Sequence, residues 1–148
     1  MKSFKIILKV ALSTVLGLSM LMYSSCDGDP GETQTKQEEV TEMLVGKTWK
    51  VQSVAVDNVD KSSLFTGMAI SFSNTGFTVT NPGPVWPASG TWSFTSDEAT
   101  FFKRNDNVEV KVEPTATTLK LTLSWTKTTL GPGKVASVAG QHVFTFGL

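Results

Sequence analysis

Between Asn107 and Trp125 the chain alternates apolar and polar residues with a period of two, the repeat of a β-strand that buries one face and wets the other. In NVEVKVE, Val108, Val110 and Val112 fall on one side and Glu109, Lys111 and Glu113 on the other. In TLKLTLSW, Leu119, Leu121, Leu123 and Trp125 oppose Lys120, Thr122 and Ser124. Half-exposed strands of this kind belong to antiparallel sheets. Shorter versions at 49–56, 68–73, 77–80, 91–95, 99–104 and 142–146 bring the number of strands to about eight. Between the runs lie Ser73-Asn74-Thr75-Gly76, Asn105-Asp106-Asn107 and Leu130-Gly131-Pro132-Gly133, polar or glycine-bearing links suited to hairpins. The pattern predicts one all-β domain over 43–148, either an up-and-down antiparallel barrel or a two-layer sandwich. Just before it, QEEVTEMLVG places Val40, Met43 and Leu44 at helical spacing and ends on Gly46, which predicts a short N-terminal helix covering one end of the domain.

The chain opens differently. Lys2, Lys5 and Lys9 precede an apolar run at 10–22, VALSTVLGLSMLM, which is shorter than a membrane-spanning helix needs and fits a secretion signal over 1–25. The small residues Ser24 and Ser25 then lead to Cys26. The stretch YSSC resembles a bacterial lipobox, with Tyr23 where an aliphatic residue is usual. The resemblance implies that the Cys26 thiol accepts a diacylglyceryl group and that the mature chain is attached to the membrane by lipid on this residue. An ordinary secretory signal that leaves Cys26 a free thiol is the plainer alternative. Since Cys26 is the only cysteine, no internal disulfide and no Cys/His metal site can form.

Residues 26–42 read as a flexible acidic tether, because DGDPGETQTKQEE holds no large apolar side chain. Six acids stand against Lys36 alone between Asp27 and Glu42, whereas 43–148 carry nine basic and seven acidic side chains. The acidic run after the cysteine resembles the export signal of surface lipoproteins of Bacteroidetes, which implies an outer-membrane location at the cell surface; a periplasm-facing lipoprotein with a solvated linker is the alternative. No basic stripe forms anywhere, so nucleic acid is not an expected partner.

Signatures of chemistry are sparse. No GxSxG, HExxH, GxGxxG or Walker sequence occurs, so no catalytic residue and no cofactor is expected. The acids Asp57, Asp60, Asp97, Glu98, Asp106, Glu109 and Glu113 fall in turns or on wet faces, unlike the paired carboxylates of glycoside hydrolysis. His142, the only histidine, shares its parity with Phe144 and Phe146 and reads as a hydrogen-bonded structural residue; a bulge at Gly140 would turn it outward.

Three stretches carry a resemblance. LVGKTWKVQSV, GTWSF at 90–94 and the closing GQHVFTF are similar to the lipocalin-like domains of Bacteroidetes lipoproteins, a branch of the calycin barrels. Gly46 and Trp49 stand one residue further apart than in the Gly-x-Trp opening of true lipocalins. The resemblance covers about 43–148 and implies a barrel whose interior is plugged or holds a small apolar or amphipathic ligand. Met68, Ile70, Phe72, Phe94 and Trp125 are the expected lining, with Trp86, in the proline-rich loop NPGPVWPASG, near the entrance. Small residues such as Ser53, Ala55 and Ala69, if turned inward, leave room at one end. In the rival reading the domain is a structural or interaction module that contacts glycan or envelope proteins, with Trp86 at the centre of an exposed aromatic patch.

Overall fold

The computed structural model describes residues 34–127 and 138–148. The leader, Cys26, the first part of the tether and the Leu130–Gly133 turn lie outside the described residues. A helix, α1 (Lys36–Leu44), is followed by β1 (Thr48–Val56), β2 (Val59–Asp60), a 3-10 turn (Ser62–Phe65), β3 (Ala69–Phe72), β4 (Gly76–Thr80), β5 (Ser89–Phe94), β6 (Phe101–Arg104), β7 (Glu109–Pro114), β8 (Thr118–Trp125) and β9 (Gly140–Gly147).

From β3 to β9 each strand pairs antiparallel with the next, and β1 pairs with both β3 and β9. The sheet therefore returns on itself as a closed eight-stranded up-and-down barrel, and β2 is an extra strand hairpinned onto the end of β1. Closure through Val51↔Phe146, Val54↔Phe144 and Val56↔His142 removes the two-layer sandwich, which would leave that edge open.

Parity holds along most strands. Val110 and Val112 of β7 and Leu119, Leu121, Leu123 and Trp125 of β8 are buried, as the alternation requires. The first strand breaks it. The register to β9 shifts between Val51 and Ser53, so one extra residue at Gln52 reverses the phase: Trp49 points inward before the bulge, Val54 and Val56 after it. Ser53 is exposed in consequence and Ala55 shares its outward phase, while Ala69 falls out of phase with the buried Met68 and Ile70. The small residues that would leave room inside if turned inward, Ser53, Ala55 and Ala69, do not face inward.

The helix begins at Lys36, inside the stretch expected to be tether. Thr35 and Glu38 form a capping box: Thr35 Oγ1 accepts from the Glu38 amide at 3.2 Å and Glu38 Oε2 accepts from the Thr35 amide at 2.8 Å. These two bonds satisfy amides that would otherwise favour water, which lets a polar sequence nucleate. Leu44 is fully buried, its carbonyl accepts from Trp49 Nε1 at 3.1 Å, and Val45 bridges to Phe72. The helix thus covers the barrel end formed by the start of β1 and the end of β3. At the opposite end, called here the loop end, the 3-10 turn, the loop 81–88, the β6–β7 turn and the start of β9 come together.

Candidate functional site

Aromatic side chains fill the barrel axis. Trp92 meets Phe72 at 5.8 Å between ring centroids, Phe72 meets Phe77 at 6.5 Å, Phe77 meets Trp86 at 5.7 Å, and Trp86 meets Phe144 at 6.0 Å. Most of these contacts are edge to face, the geometry that ring quadrupoles favour. The middle of the barrel is therefore protein, and the expected lining residues do not surround one chamber. Phe72 and Phe94 stand at the helix-covered end, both against Trp92; Ile70 lies between, opposite Trp49 and Val79; Met68, Trp86 and Trp125 belong to the loop end.

Trp86 is not the centre of an exposed patch. It is 4% exposed and folded into the barrel, with Val85 buried beside it. The cause is Arg104, whose guanidinium stands 4.6 Å over the indole ring while its Nη1 donates to the Val85 carbonyl at 3.1 Å. Arg104 is itself buried and is neutralised by Asp106, which accepts from Nε at 3.0 Å and from Nη2. This pairing holds the Asp106 carboxyl below its ordinary pKa of 3.8. Gly83 lets the same loop approach: a Cβ there would stand 2.7 Å from the Phe65 ring, and its φ of +63° suits glycine. Arg104 escaped attention in the sequence, although its parity with Phe102 and the acid two residues on were both visible.

His142 faces inward and is fully buried, so Gly140 does not turn it out. Its ring stacks on Phe144 at 5.9 Å and meets Phe65 edge-on at 6.1 Å. Nδ1 lies 3.1 Å from the Gly140 carbonyl. A carbonyl only accepts, so Nδ1 carries the ring proton and Nε2 presents a lone pair. Desolvation lowers the His142 pKa from its ordinary 6.5, against smaller opposing effects of the Gly140 carbonyl and of Asp57, and keeps the ring neutral. No described carboxylate or hydroxyl side chain is hydrogen-bonded to it, and no three His, Cys, Asp or Glu side chains among the described residues come together as metal ligands would.

Three ring nitrogens at the loop end are buried without a hydrogen-bond partner among the described residues: Trp86 Nε1, Trp125 Nε1 and His142 Nε2. Leaving such a group unpaired costs about 1 to 3 kcal/mol, so three at one end of the barrel require an explanation. The indoles at the helix-covered end differ: Trp49 donates to Leu44, and Trp92 Nε1 lies 3.0 and 3.1 Å from the Ser73 and Gly76 carbonyls. An open groove of about 710 Å³ does run between α1 and β5, past Glu38, Thr41, Val45, Trp92 and Phe94, but its polar ring atom is already satisfied. A fourth buried atom without a hydrogen bond among the described residues, Glu113 Oε2 at the end of β7, lies 3.5 Å from Lys120 Nζ, so the unpartnered ring nitrogens are all at the loop end.

Compared with known protein families, with curated proteins and with solved structures, the chain matches none.

Proposed function

We propose that the chain is a cell-envelope lipoprotein, anchored through lipid on Cys26, whose lipocalin-like barrel binds a small amphipathic molecule at its loop end without transforming it. The observation that carries the binding reading is the trio of unpartnered buried nitrogens on Trp86, Trp125 and His142. Apolar rings around them, Phe65 and Phe144 above all, suit the apolar part of such a molecule, and the nitrogens suit its polar end. The axis below is occupied by Trp86 and Phe77, so the ligand is a small one held at the end rather than a long one threaded through. The leader and the acidic run after Cys26 support a place on the outer membrane, facing the cell surface. The alternative of a glycan-contacting module loses its expected centre, because Trp86 is buried.

Two experiments test this reading. Native mass spectrometry of the full chain, purified from a bacterial envelope, is expected to show a co-purifying small molecule that organic solvent extracts; an empty protein that also takes up no octyl-chain compound contradicts it. Metabolic labelling with palmitate is expected to mark the protein and to fail for Cys26→Ser. Labelling that survives the substitution would refute the lipid anchor.

A further inference from the structure

The binding reading says where a ligand sits; the hydrogen-bonding character of the three nitrogens says what its polar end is. An indole Nε1 is a donor and nothing else. His142 Nε2 is an acceptor, because the Gly140 carbonyl fixes the ring proton on Nδ1 at the other side of the imidazole. These groups share one neighbourhood. Phe144 stacks on His142 and meets Trp86 edge-on, while Trp125 follows by two residues Leu123, the register partner of His142, so both side chains face inward on adjacent strands.

A carboxylate or an ether would satisfy the indoles and leave the lone pair of His142 facing another lone pair. An ammonium group would satisfy His142 and repel the indole N–H groups. The buried cation nearby, Arg104, is already committed to Asp106 and to the Val85 carbonyl, so it offers no counter-charge for an acid. Lys127 lies 5.2 Å from the centroid of the Trp125 ring and is exposed, which makes it a hydrated charge rather than a desolvated partner.

We propose that the loop end recognises a hydroxyl group, which accepts from an indole N–H of Trp86 or Trp125 and donates to His142 Nε2. The ligand class is a small neutral molecule with an apolar body whose polar end both donates and accepts, an alcohol being the simplest case. This inference rests on the binding reading above and sharpens it.

The test uses three probes of one length, 1-octanol, heptyl methyl ether and octanoate, titrated at pH 7.5 into the full chain and followed by intrinsic tryptophan fluorescence. 1-Octanol is expected to bind about tenfold more tightly than either of the others, the cost of one buried acceptor left unpaired. In His142→Phe, which keeps an aromatic ring against Phe144 and deletes Nε2, the alcohol and the ether are expected to bind equally. Equal affinities in the unaltered protein, or an alcohol preference that survives in His142→Phe, overturn the hydroxyl assignment and leave the binding reading standing. Tightest binding of octanoate also overturns it and points to a carboxylate served by Lys127. Failure of all three probes removes the binding reading itself. The alcohol–ether comparison on the unaltered protein decides the matter even if the variant does not fold.

Discussion

Arg104 joins the loop that carries Trp86 to the wall of the barrel, and its position explains why a tryptophan flanked by prolines is buried. The guanidinium is desolvated by the indole and neutralised by Asp106, so removing the acid leaves a buried cation with less compensation. Asp106→Ala is expected to destabilise the barrel by about 1.5 to 3 kcal/mol, the worth of a hydrogen bond to a charged group. Trp86→Ala removes ring contacts to Phe77 and Phe144 and is expected to cost about 3 to 5 kcal/mol, read in both cases from urea denaturation. A loss under about 0.5 kcal/mol for Trp86→Ala would mean that the loop is not seated in the core. His142 makes the stability depend on pH. Because burial lowers its pKa, the unfolded chain takes up the proton first; stability is complete above the ordinary value of 6.5 and declines as pH falls from there through the folded-state pKa. Asp106, also lowered, adds a second loss as pH falls below its ordinary 3.8. The urea midpoint is therefore expected to drop between pH 7.5 and 5.5, and His142→Phe to flatten that drop. An equal drop in the variant would place the acid sensitivity elsewhere.

At the scale of elements, the bulge at Gln52 decides which residues in the second half of β1 face the core. Deleting Gln52 would remove the extra residue and leave one alternating phase, with Trp49, Val51, Val54 and Val56 inward and Lys50, Ser53 and Ala55 outward. The deletion is expected to keep one cooperative unfolding transition and the near-ultraviolet circular dichroism signal; loss of both would show that the buried set of β1 does not follow from the phase change at Gln52. The capping box sets the other boundary, and Thr35→Ala is expected to cost α1 about 1 kcal/mol, visible as faster hydrogen exchange confined to that helix. These two places mark where the sequence was hardest to read. In β7 and β8 apolar residues recur every second position without interruption, and the burial follows directly. Gln52 is an ordinary polar residue; the switch of apolar positions from Trp49 and Val51 to Val54 and Val56 marks a phase change, and the partner strand places the extra residue between Val51 and Ser53. The two-residue β2 is too short to carry a period, and α1 starts in polar sequence because Thr35 and Glu38 satisfy its first amides. The same limit applies to the candidate site. Parity turned Trp125 and His142 inward, but Trp86 lies in a loop without parity, and its burial depends on Arg104, which reaches it from β6.

Taken as one body, the described domain is a barrel with two unlike ends. The helix-covered end is closed by Leu44 and has both of its indoles hydrogen-bonded to backbone carbonyls. The loop end has two indoles and an imidazole with hydrogen-bonding capacity left over. That contrast is the basis of the functional reading, and the four tryptophans report on it directly, two at each end. In a two-dimensional nitrogen–proton spectrum of the full chain, each indole Nε1–H gives its own resonance, assigned by single Trp→Phe substitutions. On titration with 1-octanol, the resonances of Trp86 and Trp125 are expected to move together with a single saturating affinity while those of Trp49 and Trp92 stay in place. Movement of Trp92 or Trp49 instead would shift the site to the groove beside α1, and four unmoved resonances at saturating probe would contradict a ligand site at the loop end.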